Sequence, residues 1–284
     1  MKFSLIMATL GRVEQPEVFL SSLQRQTWRD FEVVLVDQNP DARLAPLAER
    51  YSRCFPLIHL GSRPGLSRAR NAALPYASGD IIGFPDDDCW YPPDLLERLH
   101  RLMESRPEIQ GVSGRALADG GRPRGRWARR PALIGKYNIF GRCISFAIFL
   151  KRRLAERVGP FDETLGLGAS TPWLGAEDYD YLLRAALLGP VLYQPDISVY
   201  HGDLTSTFSS VDLQKRYGNA LGFGRFLAKH RYLFPFVAYY SARYLIDAGI
   251  SLALGNVAKA RYRWAALIGN FEGWLGRSAM QNNH

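Results

Sequence analysis

The stretch FPDDDCWYPP, residues 84–93, places three aspartates side by side directly after the apolar run IIGF. Adjacent carboxylates repel one another, and an ionised carboxylate is costly to bury without a partner. Hard divalent cations such as Mg²⁺ and Mn²⁺ prefer oxygen ligands, usually one or two carboxylates together with phosphates and water. Asp86 to Asp88 therefore indicate a metal site in which one carboxylate can hold the ion and another can turn towards a hydroxyl group of a ligand. The alternative is a solvated acidic turn ahead of the helix predicted from Pro93.

A second acidic group lies in GAEDYDYLLRA, where Glu177 and Asp178 open a predicted helix. The helix dipole favours ionised carboxylates in a first turn, whereas a general base needs a pKa high enough to accept a proton. Two adjacent acids raise each other's pKa, and partial burial raises it further. The pair is therefore a candidate catalytic base. Alternatively, these acids only complement the helix dipole.

Two further side chains have types suited to such a site. His201 ends the segment VLYQPDISVYH, and its neutral imidazole is a possible third ligand of Mn²⁺, or else a structural hydrogen-bonding group. Trp173 lies shortly before the acidic pair, and an aromatic face stacks readily on a sugar ring. We expect Trp173 to line an acceptor pocket, with core packing as the alternative.

The first half of the chain alternates strand-like and helix-like segments. Such alternation predicts βαβ units and a mostly parallel sheet, whose ligands bind beyond the carboxyl ends of the strands. Asp37 and Asp86–Asp88 lie at the ends of predicted strands, so they are expected at the carboxyl edge of the sheet, where ligands bind. The predicted strands are Lys2–Thr9, Phe31–Asp37, Phe55–Leu60 and Asp80–Phe84, and the predicted helices are Pro16–Gln26, Ala42–Tyr51 and Leu66–Tyr76.

The second half is predicted to continue this α/β pattern. Strand character returns in ISFAIFL, Ile144–Leu150, and VLYQPDISVYH predicts a pair of strands ending at His201. Helices are predicted over Pro93–Arg106 and Ala176–Gly189, with a strand over Ile109–Leu117 between them.

Helices dense in aromatic residues are predicted after Gln214. The run Phe234–Gly255 comes near the roughly 20 residues that cross a bilayer, but Arg243 and Asp247 interrupt it. We expect an amphipathic helix that lies on a membrane or packs on the domain. The predicted division is a catalytic domain over 1–213 and a helical extension over 214–284.

Charge and cysteine content narrow the function classes. The formal net charge of +9 suits a nucleic acid, an anionic membrane or a phosphorylated substrate, and the arginines of the predicted loop Gly121–Arg130 could grip a lipid-linked diphosphate or simply be solvated. No helix-turn-helix, zinc or RNP signature supports a nucleic-acid-binding module. Three scattered cysteines without a CxxC pair indicate a reducing cytoplasm, and the N-terminus reads as a strand, not an export signal.

Six short motifs together resemble glycosyltransferase family 2, between Met1 and His201. They are MATLGR at Met7–Arg12, VLVDQNP around Asp37, GLSRARNAAL around Arg70, FPDDDCWYPPDLL, VGPFDETLG and GAEDYDYLLRA. Each motif alone is weak, and their order and spacing are jointly specific. The resemblance implies an α/β GT-A fold, with a mostly parallel nucleotide-binding sheet flanked by helices and a C-terminal helical extension.

The resemblance also implies roles for individual residues. Thr9, Asp37 and Arg70 would contact the base and ribose of a nucleoside-diphosphate sugar, with Arg12 and Asp87 in the same donor site. Asp86 would approach the ribose and Asp88 the metal ion. Asp178 would be the general base, and Glu177 would support the loop or the acceptor. Ala8, Gln38 and Cys89 depart from the family pattern, which weakens any inference about the nucleotide base.

The expected activity is therefore metal-dependent, inverting transfer of a sugar to a hydroxyl of a glycan or lipid-linked glycan, as in polysaccharide biosynthesis. The expected cofactor is Mn²⁺ or Mg²⁺, the expected donor a UDP-sugar, and the expected location the cytoplasm, with an anionic membrane surface as a further partner and no nucleic acid. The alternative enzyme is a sugar nucleotidyltransferase, although MATLGRVEQP lacks the Gly-rich basic loop of that class. Release of a nucleoside diphosphate or of pyrophosphate distinguishes the two.

Overall fold

The computed structural model describes residues 1–202 and 208–277. They form a mixed α/β fold around one curled sheet, followed by three long helices. The sheet contains nine strands in the order β3-β2-β1-β4-β8-β6-β9-β5, with β7 beside β9.

Four parallel strands form the first half of the sheet, as predicted. β1 (Phe3–Thr9) lies between β2 (Phe31–Asp37) and β4 (Ile81–Gly83), and β3 (Leu57–Gly61) lies outside β2. Every residue of β1 and β2 is buried, which fits their near-continuous apolar sequences. The helices that connect these strands are α1 (Glu14–Gln24), α2 (Ala45–Ser52) and α3 (Leu66–Ala73).

The second half of the sheet mixes parallel and antiparallel pairs. β8 is antiparallel to β4 and β6, β6 is parallel to β9, and β9 is antiparallel to β5 and β7. These strands are β5 (Cys89–Trp90), β6 (Gly111–Leu117), β7 (Ala132–Leu133), β8 (Ile148–Lys151) and β9 (Val191–His201), and the helices among them are α4 (Leu95–Ser105), α5 (Arg152–Val158) and α6 (Glu177–Leu188).

Two predicted strands take a different form. The segment predicted as a strand from Ile144 begins with a 3₁₀ turn over Ser145–Ala147, and only then becomes β8. The predicted strand pair before His201 is a single strand of 11 residues, β9, because the register opposite β6 shifts between Ser113 and Arg115 instead of the chain turning back. The helix predicted from Pro16 starts two residues earlier, at Glu14.

The C-terminal region consists of α7 (Ser210–Lys229), α8 (Phe234–Ala253) and α9 (Val257–Trp274). Ser209 caps α7, and a reciprocal hydrogen bond from its main chain to Asp212 completes a capping box. The predicted extension over 214–284 includes residues 278–284, which lie outside the described residues. Within the ranges given above, no helix combines the length and apolarity that crossing a membrane requires.

The chain divides into two compact units. The first comprises Met1–Pro64, Arg68–Phe161 and the segment from Asp178 through β9, and the second comprises Gly65–Ser67, Asp162–Glu177 and α7 to α9. The division at residue 213 inferred from the sequence stays a prediction.

Candidate active site

The three aspartates follow β4 at the carboxyl edge of the parallel strands. A bridge between Ala8 and Asp86 continues the pairing of β1 with β4 to this point. The chain then enters β5, where Cys89 lies opposite His201 in the antiparallel ladder with β9. The ladder brings Asp88 to His201 across more than 100 residues of sequence, with 3.0 Å between Asp88 Oδ1 and His201 Nε2. Backbone pairing thus assembles the candidate metal site.

Asp86, Asp88 and His201 form a cluster suited to a divalent cation. One ligand atom from each lies within 4.8 Å of the others. Two carboxylates and an imidazole are acceptable to Mn²⁺ and, through the carboxylates, to Mg²⁺. The residues therefore fit the metal ion that the sequence predicts, and His201 joins the two aspartates as the candidate third ligand.

All three aspartates have cationic partners, and Arg12 is shared by two of them. Arg70 Nη2 donates to Asp86 Oδ1 at 2.9 Å, and the Ser145 hydroxyl lies 3.1 Å from Asp86 Oδ2. Arg12 Nη1 donates to Asp87 Oδ1 at 2.7 Å and to Asp88 Oδ2 at 2.8 Å. Side chains of the protein therefore compensate part of the negative charge before any metal ion binds.

The carboxylate of Asp87 is hydrogen-bonded to the end of β1. Its Oδ2 accepts a hydrogen bond of 2.6 Å from the Thr9 hydroxyl at the end of β1, in addition to the Arg12 contact. Asp87 thus ties the end of β1 to the aspartate turn and is not part of the metal cluster.

The environments shift the pKa values of these groups in different directions. Burial raises the pKa of Asp86, against the opposing charge of Arg70. Burial likewise raises the pKa of Asp87, although Thr9 and Arg12 oppose it. For Asp88, burial is outweighed by the hydrogen bonds and charges of His201 and Arg12, which lower its pKa to about 2. For His201, burial is outweighed by the carboxylate of Asp88, and the pKa is raised.

Asp178 lies in the first turn of α6, one residue after the buried Glu177. Burial raises the pKa of Asp178, while the N–H of Tyr179, the charge of Arg70 and the N–H of Ser145 favour its ionised form. The distance from Tyr179 N to Asp178 Oδ1 is 2.8 Å. Arg70 and Ser145 therefore act on both Asp86 and Asp178. Burial is the largest cause of the raised pKa of Asp178.

The backbone before α6 has an uncommon conformation. Ala176 has a φ of 68°, a left-handed value that is rare for a residue other than glycine. Within the same unit, a Cβ on Gly166 would lie 3.1 Å from the carboxyl group of Glu177, so the glycine makes room for that side chain. Trp173 also belongs to this second unit, where the guanidinium of Arg225 lies 4.7 Å from its ring centre.

Asp37 ends β2 beside Thr9, its register partner in β1. Its Oδ1 accepts hydrogen bonds from the main-chain and side-chain nitrogens of Asn39, and its Oδ2 lies 3.2 Å from His59 Nε2. The predicted donor residues Thr9, Arg12, Asp37, Arg70, Asp86 and Asp87 all come from the first unit. Asp88, Asp178 and His201 do too, whereas Glu177 and Trp173 belong to the second.

Sequence reasoning missed two contributors to this site. Ser145 lies in a segment that reads as a strand, so no pattern identifies it. Arg124 was one arginine among several in the predicted loop, yet its guanidinium contacts both His201 Nδ1 and the Gly202 carbonyl. Its backbone is anchored by hydrogen bonds with Ala116 and Trp127, while Arg122, Arg126, Arg129 and Arg130 are exposed.

Comparisons with known proteins identify similar sequences. The family described as glycosyl transferase family 2 matches residues 4–159, more than half of the 284 residues. An uncharacterized glycosyltransferase of Haemophilus influenzae is 25% identical over 69% of this chain and 64% of its own length. The amylovoran biosynthesis glycosyltransferase AmsE of Erwinia amylovora is 29% identical over 68% of this chain and 73% of its own length. The chain thus spans less than two thirds of the Haemophilus relative.

Solved structures share the fold. The mannosyltransferase PcManGT of Pyrobaculum calidifontis, in complex with GDP-Man and Mn²⁺, superposes with a TM-score of 0.63 at 19% identity, over 95% of this chain and 86% of its own. TarS 1-349 of S. aureus, in complex with UDP-GlcNAc, has a TM-score of 0.60 at 18% identity, over 98% of this chain and 93% of its own. Identities this low inform on fold alone, and the GT-A fold with a helical C-terminal region is confirmed.

Proposed function

Because the chain belongs to glycosyl transferase family 2, it is a glycosyltransferase, and we propose that it transfers one sugar from a nucleoside-diphosphate sugar to a hydroxyl of a glycan or lipid-linked glycan, with inversion at the anomeric carbon. The observation that supports the proposal is that Arg70 interacts with both the aspartate turn and Asp178. Arg70 donates to Asp86, and its charge also acts on Asp178. A donor-binding group and a candidate base thus share one buried guanidinium.

Donor binding is assigned to the carboxyl edge of β1, β2 and β4. Thr9 and Asp37 offer hydrogen-bonding groups to the base and ribose, and Asp86 offers a carboxylate to the ribose. Arg12 and Arg70 supply positive charge for the diphosphate. Neighbours of the same fold bind UDP-GlcNAc and GDP-Man, which supports a nucleotide sugar, and we place a UDP-sugar first.

Asp88, Asp86 and His201 would hold a divalent metal ion, Mn²⁺ or Mg²⁺. Such an ion, when bound, neutralises charge on the diphosphate leaving group as a Lewis acid. The pKa of Asp88, lowered to about 2, keeps this ligand ionised at any physiological pH. The Mn²⁺ bound to the mannosyltransferase neighbour supports the choice of ion.

Asp178 is assigned as the general base that takes the proton of the acceptor hydroxyl. Its pKa is raised by burial, which gives the carboxylate the proton affinity that a base requires. The N–H of Tyr179 fixes the orientation of the carboxylate. Glu177 and Trp173 are proposed to support and line the acceptor side. We place the reaction in the cytoplasm, because the three cysteines are widely separated in the sequence and form no CxxC pair.

The experiment that tests this function separates donor binding from transfer in Asp178→Asn. A nucleotide sugar that binds the folded protein raises its melting temperature, and a screen of donors with and without Mn²⁺ identifies the ligand. We expect Asp178→Asn to keep the wild-type shift, because the base does not contact the donor's phosphates. We expect sugar transfer, followed as nucleoside diphosphate release with acceptor present, to fall by about 10²–10⁴-fold.

Asp196→Asn is the matched control, because Asp196 is an exposed aspartate of β9 outside the site. It should leave both measurements unchanged. In the wild type, transfer should decline as the pH falls below the pKa of Asp178, because the protonated carboxyl cannot accept a proton. Full transfer activity in Asp178→Asn would remove this residue from the mechanism, and pyrophosphate as the product would reject the glycosyl transfer itself.

A further inference from the structure

The solvent-exposed side of helix α8 consists almost entirely of apolar residues. Among the residues of α8, which is described throughout, every exposed one except Arg243 is apolar. Successive residues are about 100° apart around a helix, so these exposed positions share one side of α8. We call this surface the α8 apolar face. Its large members within α8 are Phe234, Tyr239, Leu245, Ile246, Ile250 and Leu252, each more than half exposed.

The opposite side of α8 packs within the helical region, where Phe236 contacts Tyr232 and Tyr240 stacks on Phe223. The residues buried there are Val237, Ser241, Ala248 and Ser251, which are mostly small, and two of them carry hydroxyl groups. The Ser251 hydroxyl is satisfied within the helix by the carbonyl of Asp247, at 2.7 Å. A helix at a water-exposed surface normally turns leucine and isoleucine inward and serine outward. The leucines and isoleucines exposed on the outer face therefore indicate that something apolar covers it.

The apolar surface continues past both ends of α8. Leu233 before the helix and Leu254 and Val257 after it are also more than half exposed. Contiguous apolar patches of this extent are rare on isolated proteins and mark interaction sites.

Positive charge borders this surface. Between Lys229 and Arg277 the chain has seven Lys or Arg residues and two acids. Both acids have partners within the helices: Asp247 lies 3.8 Å from Arg263, and Glu272 accepts a hydrogen bond from the Tyr217 hydroxyl. Arg231, Arg243, Lys259 and Arg261 are exposed. The occupant of the apolar face must therefore be apolar at its centre and negatively charged at its border.

We propose that the α8 apolar face docks on the surface of an anionic lipid membrane, with α8 lying in the plane of the interface. An interfacial helix buries its apolar side among the acyl chains while lysine and arginine meet the lipid head groups. A second copy of this chain fits the surface less well, because it would bring the same cations against each other. The proposal rests on this surface alone and does not depend on the transfer reaction.

The test is co-sedimentation of the full chain with vesicles. We expect binding to vesicles of phosphatidylcholine mixed with phosphatidylglycerol, weaker binding as salt is raised, and little binding to phosphatidylcholine alone. The double variant Ile246→Asp with Ile250→Asp should reduce the bound-to-free ratio by about tenfold or more, because two charges would enter the acyl region. The double variant Lys259→Glu with Arg261→Glu should lose the preference for anionic lipid.

Val18→Asp is the matched control, because Val18 is an apolar residue of α1 that is 50% exposed and lies in the other unit. It should bind vesicles like the wild type. Circular dichroism and the nucleotide-sugar melting shift, measured without lipid, should be the same in all variants, so loss of vesicle binding is separable from loss of folding or of donor binding. The proposal is overturned if the wild-type protein does not bind anionic vesicles. It is also overturned if the wild type is a dimer and the double aspartate variant is a monomer. Equal binding to both lipids overturns its electrostatic part.

Discussion

The three consecutive aspartates have three different environments. Asp86 faces Arg70 and Ser145, Asp87 faces Thr9 and Arg12, and Asp88 faces His201 and Arg12. Chemistry at this turn could be predicted from residue types, because three adjacent carboxylates require cations. Which arginine pairs with which aspartate could not be predicted, because Arg12 and Arg70 lie in separate segments that only the folded sheet brings together.

Arg12 would compete with a metal ion for the carboxylate of Asp88. Its guanidinium donates to Asp88, a proposed metal ligand, and its side chain is 43% exposed. We expect Arg12→Gln to bind Mn²⁺ about fivefold more tightly in the absence of donor, because a like charge beside the ion is removed and solvent screens part of the effect. Titration of the electron paramagnetic resonance signal of free Mn²⁺ measures this affinity without any turnover.

Arg43→Gln is the control for that measurement, since Arg43 pairs with Asp41 at the surface. Its Mn²⁺ affinity should equal that of the wild type. Weaker Mn²⁺ binding in Arg12→Gln would show that Arg12 supports the ion instead of competing with it.

At the scale of secondary-structure elements, two short segments, β5 and the turn at Ser145, position side chains of the candidate site. β5 has only two residues, yet its pairing with β9 sets Asp88 beside His201. Two residues carry no periodic pattern, so the sequence predicts no strand there and leaves the role of His201 open. β1, β2 and β4 were predictable, because continuous β-branched and apolar runs indicate strands buried on both faces. The turn at Ser145 was not, because its residues are equally compatible with a strand.

Helices α7 and α9 approach each other at glycines. A Cβ on Gly273 would lie 2.0 Å from the carbonyl oxygen of Leu221, and one on Gly224 would lie 2.1 Å from that of Asn270. The obstacle in each case is backbone, which cannot rotate away. We expect Gly273→Ala to separate the helices and to lower the free energy of unfolding by about 1–3 kcal/mol, measured by urea denaturation.

Gly249→Ala provides the contrast within the same group of helices. Among the described residues, nothing lies within 4 Å of the position its Cβ would take, and Gly249 is inside α8. Alanine there should stabilise the protein by about 0.5–1 kcal/mol, because glycine loses more backbone entropy in a helix. Equal effects of the two substitutions would mean that the α7–α9 contact is looser than described.

At the scale of the whole molecule, stability depends on a carboxylate away from the site. Glu32 is a buried acid near the start of strand β2, and it accepts hydrogen bonds from the Ser4 hydroxyl at 2.6 Å and from the main chain of Ser78 at 2.7 Å. It also pairs with Lys2. Glu32 thus joins β1, β2 and the turn before β4, which the sequence pattern did not indicate.

Although burial opposes ionisation, the bonds from Lys2, Ser4 and Ser78 lower the pKa of Glu32 from 4.5 to about 2. A lowered folded-state pKa stabilises the protein above the unfolded value, and the contribution is lost as the pH falls through the folded value. We expect Glu32→Gln to cost about 2 kcal/mol at pH 7, with the deficit shrinking as the pH falls from about 4.5 towards 2. Urea denaturation across this range measures it.

Glu49→Gln is the reference substitution, because Glu49 is 71% exposed and pairs with Arg53 one turn away. Its cost should stay below about 0.5 kcal/mol at every pH. A pH-independent deficit in Glu32→Gln would indicate that shape, and not charge, makes Glu32 important.

The arginines around the aspartate turn have one more implication. Three carboxylates, Asp86 to Asp88, are accompanied by Arg12 and Arg70, with Arg124 beside His201. Asp178, on which Arg70 also acts, is a fourth carboxylate, so a divalent cation in the proposed metal site would change the net charge of this group from negative to positive. In the proposed reaction, the product nucleoside diphosphate has one more negative charge than the sugar nucleotide, so the proposed site would retain the product more strongly. Turnover would then be paced by departure of the product, and free nucleoside diphosphate would be an effective inhibitor.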